Sequence, residues 1–208
     1  MRFPLHWLCF LFCGRFVSLF APAAVGQPPA SPLVIRFLTH ADVEQFRTLR
    51  FQMLADTPTA FISSEADEIH FSHDVWCARI GPSDDAAVVG AFLGDTLVGS
   101  CAMFRQKPAK QRHQALIWGV FVGPQARGQG VARRLLQAMV ARAAQWPSLR
   151  QVSLAVMSTN KSAFSLYESL GFKTFGVEVD AINVDGTFHA VTHMVKRLHE
   201  DDITPGQP

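Results

Sequence analysis

Ala115-Leu-Ile-Trp-Gly-Val-Phe-Val122 runs into Gly123-Pro-Gln-Ala-Arg-Gly-Gln-Gly130, and a helical pattern begins at Val131. The first segment is apolar, carries β-branched and aromatic residues, and stops at Gly123-Pro124, as a buried strand does. Beyond the loop, Val131, Leu135, Leu136, Met139, Val140 and Ala143 fall on one helical face, and Pro147 closes the run. The stretch therefore reads as strand, glycine-rich loop, helix. Gly128 and Gly130 put no Cβ between the backbone and a ligand. A helix start offers unpaired N–H groups and the positive end of a dipole. Arg127, Arg133 and Arg134 crowd that same end, where cations oppose the dipole unless an anion lies among them. On these residues alone, a phosphate site and a tight turn with solvated arginines fit equally well.

Working outward, Gln125-Ala-Arg-Gly-Gln-Gly130 resembles the Gln/Arg-x-x-Gly-x-Gly/Ala signature of the GNAT superfamily of N-acetyltransferases. A second block, Asn160-Lys-Ser-Ala163 with Leu166-Tyr-Glu-Ser-Leu-Gly-Phe172, is similar to that family's Asn…Ala…Tyr-Glu…Gly-Phe segment, in the usual order and at about the usual spacing. The likeness extends roughly from Val34 to Leu198. It implies an α/β fold with a GNAT-like mixed, mostly antiparallel central sheet flanked by helices. It also implies acetyl-CoA as co-substrate, an amine acceptor and no metal. By the same resemblance, main-chain groups of Val120, Phe121 and Val122 would pair with the pantetheine arm. The N–H groups from Arg127 to Val131, with Gly128, Gln129 and Gly130 between them, would hold the pyrophosphate, and Gln125 would belong to the same cofactor-binding loop. On that expectation, removing Arg127 weakens CoA binding by roughly 1.5–3 kcal/mol. Asn160 would contact CoA or cap its own helix, two roles that do not exclude each other.

Composition sets the outer bounds. The chain has 208 residues, 49% hydrophobic and 17% charged, enough apolar material for a full core. A net charge of +2 gives no reason to expect a nucleic-acid partner. Of the cysteines, Cys9 and Cys13 lie near the N-terminus and only Cys77 and Cys101 in the main body, so neither a disulfide framework nor metal-ligand spacing is present. Residues 1–32 form an apolar leader and a Pro-rich linker. Arg2 and the Leu/Phe-rich run to Phe20, with Ala21-Pro-Ala23 behind it, read as a secretory signal or as the product of a misassigned start codon. Arg15 interrupts the run and argues against a membrane span. Use of acetyl-CoA would favour a cytoplasmic location, with export or tethering the alternative if the leader is a true signal.

The transferase domain is expected at 33–198, followed by a polar tail at 199–208. Val34 to Leu38 reads as a first strand. Thr39 caps a helix faced by Val43, Phe46, Leu49, Met53 and Leu54. Ala60 to Ile80 reads as a loop and a second helix from about Ser72, and family likeness puts acceptor selection there. Strands follow at Ala86–Leu93 and Thr96–Phe104 around Gly94-Asp95, and a strand at Gln151–Met157. A helix face of Ala163, Leu166, Tyr167 and Leu170 ends at Gly171, and a last hairpin turns at Asp185-Gly186.

Acetyl transfer needs a polarised carbonyl, a neutral amine and a stabilised leaving thiolate. Tyr167 is the only tyrosine. Family likeness makes it the general acid, and core packing is its bland alternative. The base is open, because Ala115–Val122 holds no acid. His113, Glu65, Glu68, Glu178 and His193 are all conceivable, as is water. The leading expectation is an N-acetyltransferase acting on a primary amine of a small molecule or protein. A non-catalytic acyl-CoA-binding module is the alternative, and a homodimer is left open.

Overall fold

A computed structural model describes residues 32–199 except 82. The leader, most of the linker and the tail beyond His199 lie outside the described residues. The elements are β1 (Leu33–Phe37), α1 (Val43–Asp56), α2 (Glu65–Glu68), α3 (His73–Ile80), β2 (Ala86–Leu93), β3 (Thr96–Arg105), β4 (Gln114–Val122), α4 (Val131–Ala144), β5 (Gln151–Met157), α5 (Lys161–Ser169), β6 (Lys173–Val184) and β7 (Thr187–Arg197). The strands form one sheet in the order β1-β2-β3-β4-β5-β7-β6. Every neighbouring pair is antiparallel except β4 with β5.

Helices cover both faces. On one face α4 lays Leu135, Leu136 and Met139 against Val98, Met103, Ile117, Leu154 and Met194. On the other, α1 and α3 pack Phe46, Leu49, Met53, Trp76 and Ile80 against Val88, Phe92, Ala102 and Phe121. Each of these side chains is no more than 6% exposed, so two dry cores hold the sheet between them.

The turns follow their sequences. Asp185 and Gly186 both take positive φ, 50° and 82°, as a two-residue hairpin turn requires. At the end of α5, Phe172 N–H donates to the Tyr167 carbonyl at 3.1 Å and Gly171 N–H to Glu168 at 2.9 Å, a Schellman closure. Ser72 caps α3 through Val75 N–H at 3.4 Å. The first helix starts later than the sequence suggests. Thr39 opens a 3₁₀ turn, His40–Asp42, before α1 begins at Val43. Asp42 accepts from Thr39 N–H at 2.8 Å and pairs with Arg36 at 2.6 Å. That guanidinium holds its carboxyl down at about 2. The loop expected after Ala60 also contains α2, pinned because Glu68 is buried between Arg50 at 2.7 Å and Arg79 at 2.9 Å.

Two irregularities position everything that follows. The parallel pairing of β4 with β5 runs only from Gln114/Gln151 to Leu116/Ser153. Beyond it the strands diverge and the sheet opens. In the same part of β4 the register against β3 slips, from Ala102↔Trp118 to Ser100↔Phe121, so β4 carries one extra residue there. Gly119, at φ 60°, takes the left-handed conformation that this bulge needs.

Candidate active site

The opening between β4 and β5 is a cavity of about 390 Å³. Leu116 to Val120 of β4 form one wall, and Leu154 to Met157 of β5 the other. α5 contributes Asn160, Ala163 and Tyr167, the β6–β7 hairpin contributes Glu178, Ile182 and His193, and Phe61 and Ile62 close the side nearest α1. The bulge and the early end of pairing leave backbone groups of β4 facing this space with no partner strand. Of the strand residues singled out by sequence, Val120 lines the cavity, while Phe121 is buried in the core under α1 and α3 and Val122 is half-buried.

The loop continues directly from that strand. A 3₁₀ turn, Pro124–Ala126, is closed by Ala126 N–H to Gly123 at 2.9 Å and Arg127 N–H to Pro124 at 3.3 Å. Gln125 folds its side-chain amide over Gly123, where a Cβ would come within 2.7 Å of it. Its carbonyl accepts from the Gln129 side chain at 3.3 Å. Gly128 and Gly130 take φ of 76° and 72°, with open space where a Cβ would stand. The first N–H of the α4 region to find an acceptor is that of Arg134, bonded to Gly130 at 3.2 Å. The N–H groups of Gly128, Gln129, Gly130, Val131, Ala132 and Arg133 have no acceptor among the described residues. With no acidic residue in the first turn of α4, this is a concentrated positive end. Such a surface fits a diphosphate.

Arg127 stands differently from the expectation. Its guanidinium donates to the Asp56 carboxylate and to the Val122 carbonyl, the latter at 3.0 Å, and lies 5.7 Å from the Phe121 ring. The Asp56 carboxyl is lowered by that contact. The side chain thus ties the loop to the end of α1, and its charge is already countered. Arg133 reaches across to the Ser169 hydroxyl at 2.8 Å, while Arg134 remains exposed.

Asn160 accepts from Ala163 N–H at 3.1 Å, so it caps α5 while also lining the cavity. Tyr167 is 6% exposed and packs edge-on to Phe172, at 6.1 Å between ring centroids. Its hydroxyl has no hydrogen-bond partner among the described residues and is not sealed off, because it borders the cavity. Burial, with a smaller contribution from nearby Cys101, pushes the phenol above its ordinary range. It therefore stays protonated at any physiological pH, as a proton donor must. Cys101 is fully buried, and its thiol is pushed up by desolvation. It is a free thiol packed in the core.

The conceivable bases separate sharply. Glu68 lies in the ion-pair cluster with Arg50 and Arg79. Burial alone would raise its carboxyl, but the two guanidiniums outweigh it and the net shift is downward. Glu65 borders a shallower cavity beside Asn183 and Asp185. His113 precedes β4, at the closed end of the β4–β5 pair, and its ring contacts Gln114 at 3.1 Å. Only Glu178 and His193 line the main cavity, 3.0 Å apart.

Two features were hidden in the sequence. An isolated glycine inside an otherwise buried strand signals a bulge, and Gly119 in Ala115–Val122 is such a glycine. Counting back from the Asp185-Gly186 turn sets Glu178 opposite His193. A second bulge, at Glu178–Ile182 and holding Asp180 at φ 53°, moves Glu178 opposite Val191 and leaves the pair diagonal.

With this geometry in hand, comparison with known proteins is decisive. Residues 50–172, more than half of the chain, match the Acetyltransferase (GNAT) family. The chain belongs to the GNAT family. A GNAT-family acetyltransferase from Streptococcus pneumoniae superposes with a TM-score of 0.70 at 23% identity, over 80% of this chain and 99% of that one. The Salmonella typhimurium protein yncA, solved with its cofactor acetyl-CoA, gives 0.70 at 19% identity, over 81% of this chain and 95% of that one. At such identities these likenesses speak for the GNAT fold. Among curated proteins, the L-2,4-diaminobutyric acid acetyltransferase of Methylotuvimicrobium alcaliphilum is 35% identical over 102 residues, 49% of this chain and 57% of that protein. The L-amino acid N-acetyltransferase AaaT of Escherichia coli is 24% identical over 146 residues, 70% of this chain and 86% of that protein. Of an uncharacterised Mycobacterium leprae protein, 30% identical over 147 residues, the match spans 36%. The chain thus spans about half or less of the length of the first two of these curated relatives taken in order of similarity. Among the described residues, no helix is long and apolar enough to cross a membrane.

Proposed function

We propose that this GNAT chain, with its transferase domain at residues 33–198, moves an acetyl group from acetyl-CoA to a primary amine of a small molecule. One observation carries the proposal. The sheet opens beyond Leu116/Ser153, and β4 and Tyr167 border the resulting cavity. The free N–H row from Gly128 to Arg133 begins a few residues further along the chain.

In this reading the diphosphate rests on that N–H row and the pantetheine arm lies along Val120–Val122. A β4 N–H freed by the Gly119 bulge donates to the thioester carbonyl, as an oxyanion donor does. The neutral amine attacks the carbonyl carbon, an N–C bond forms, and the C–S bond breaks. The sulfur takes the Tyr167 proton and leaves as free CoA. The surplus proton on nitrogen passes to solvent, from which the phenolate is reprotonated. Asn160 fixes the start of α5 and so fixes Tyr167. Arg127 shapes the loop through Asp56 more than it touches phosphate. No step requires a metal.

A small acceptor is favoured by the cavity size and by its apolar rim of Phe61, Ile62 and Trp118. It is favoured as well by relatives whose names specify amino-acid acetylation. A homodimer keeps one supporting feature: edge strand β6 exposes Phe175, Val177 and Val179 at alternate positions. Light scattering on the purified chain tests it. The function itself is tested by thiol release from acetyl-CoA across a library of amino acids, polyamines and N-terminal peptides. Turnover with a small amine supports the reading, turnover confined to peptides moves the acceptor class, and tight CoA binding without any turnover supports an acyl-CoA-binding module instead. A cytoplasmic location accords with acetyl-CoA as co-substrate, and is tested by fractionation and N-terminal sequencing of the native protein.

A further inference from the structure

An amine is largely protonated at neutral pH and must lose a proton before it attacks. Among the described residues, the titratable side chains bordering the main cavity are Arg50, Tyr167, Glu178 and His193. Arg50 is 3% exposed and donates from Nε and Nη2 to Glu68, at 3.0 and 2.7 Å, and a guanidinium has no lone pair with which to accept a proton. The Tyr167 phenol is kept protonated by burial. Glu178 and His193 are left, and they are joined, Nε2 to Oε2 at 3.0 Å.

The pair is built into the sheet. On β7, His193 alternates with Met194, which faces the core under α4 and α5, so the imidazole projects from the opposite face of the sheet. Tyr167, in contrast, belongs to the Met194 core. The phenol and the imidazole therefore border one opening from its two faces. A group transfer needs that separation, with the departing sulfur on one side and the entering nitrogen on the other. Opposite His193, β5 presents Ala155, the small residue that leaves room at the cavity wall. On the outer side the Phe175 ring lies 5.9 Å from the imidazole, which gives this otherwise exposed aromatic a role as a shield.

We propose that His193 is the base that deprotonates the acceptor amine, with Glu178 as its positioning residue; this deepens the transferase reading and rests on it. An ionised Glu178 accepts a hydrogen bond from Nε2–H and so fixes the tautomer in which Nδ1 carries the lone pair. The ammonium N–H bond breaks, an Nδ1–H bond forms, and the positive charge moves from the amine to an imidazolium that the carboxylate stabilises. The neutral amine then attacks, and the imidazolium returns its proton to solvent.

The test uses the full chain, acetyl-CoA, and the standard L-amino acids with L-2,4-diaminobutyric acid as acceptors. It compares His193→Gln and Glu178→Gln with the parent across pH 5.5–9.5, a range chosen to bracket imidazole titration. For His193→Gln, kcat/KM at neutral pH should fall on the order of 10²-fold, within the usual range for loss of a general base. Its acid limb should be replaced by a climb that follows the amine's own deprotonation, with acetyl-CoA affinity within about twofold of the parent. Glu178→Gln should lower kcat with acetyl-CoA affinity unchanged, and Glu178→Asp should restore part of the loss, which a merely structural role would not do. A second readout needs no acceptor: in ¹⁵N-histidine NMR, His193 should show the Nε2–H tautomer, and that preference should be lost in Glu178→Ala. An unchanged pH profile in His193→Gln, or a His193 resonance indifferent to Glu178, would overturn the dyad while acetyl-CoA binding persists. Failure of the parent to bind acetyl-CoA would remove the transferase reading itself, and the dyad's role with it.

Discussion

The two sides of the opening are made by different means. On the β4 side the groups proposed to act are main chain: the bulge at Gly119 and the N–H row from Gly128 onward. On the β5–β7 side they are side chains, Asn160, Tyr167, Glu178 and His193, on three separate elements. A backbone site depends on φ, so it tolerates side-chain change and fails when a glycine acquires a Cβ. A side-chain site behaves the other way: it fails by loss of a single functional group, with the backbone unmoved. In the proposed reading the first side holds acetyl-CoA while the second moves protons, and substitutions should separate the two.

The largest expected effect lies outside both, in the ion-pair cluster that ties α2 to α1. Glu68→Ala leaves Arg50, 3% exposed, without its carboxylate, and should cost roughly 3–5 kcal/mol in urea unfolding. If it does not, α2 is not anchored as described and the acceptor wall built by Phe61 and Ile62 loses its support.

On the backbone side, Gly130→Val should reduce acetyl-CoA affinity by at least tenfold. It forces a β-branched residue to φ 72°, with a strain of about 1–2 kcal/mol. Its kcat at saturating acetyl-CoA should stay near the parent's. On the side-chain side Tyr167→Phe should give the mirror image: kcat lower by on the order of 10²-fold and unchanged acetyl-CoA affinity. Should both variants lower the same parameter, the division between the two sides would collapse. Arg127→Ala sharpens the point. With its guanidinium already engaged by Asp56, its effect on acetyl-CoA affinity should be smaller than that of Gly130→Val.

The effect that is smallest near neutral pH, and grows only toward its extremes, is in the pH dependence of stability. Tyr167 and Cys101 have folded-state pKa values above their ordinary ones, so the folded chain keeps protons that the unfolded chain loses. Stability should therefore decline as pH rises above about 9 for Cys101 and about 10 for Tyr167, by up to ~1.4 kcal/mol per unit for each group. Asp42 acts at the other end. Its carboxyl is depressed to about 2, so its contribution is complete above about 4 and is lost as pH falls toward 2. Cys101→Ala should flatten the alkaline decline, as followed by thermal unfolding from pH 8 to 11.

The order of elements and the strand–loop–helix centre were legible because their signals are local: Gly-Pro at a strand end, apolar residues at helical spacing, Asp-Gly at a hairpin. Gly128 and Gly130 showed through for the same reason. Asn160 was legible as a cap, and the structure shows that cap. The Glu178–His193 pair was not legible as a pair. Its members are 15 residues apart and meet only through a hairpin register altered by a bulge at Asp180. The contact of Arg127 with Asp56 was not legible, because its partners stand 71 residues apart and nothing local announces it. The β4 bulge was announced, by Gly119, but a lone glycine in a strand has more than one reading.

The account depends most on the opened sheet and its loop receiving acetyl-CoA. Calorimetric titration of the full chain with acetyl-CoA measures this directly. The account predicts saturable binding at one site per chain, weakened at least tenfold in Gly130→Val and preserved in Tyr167→Phe. Absence of saturable binding by the parent chain, or equal affinity in Gly130→Val, would contradict it.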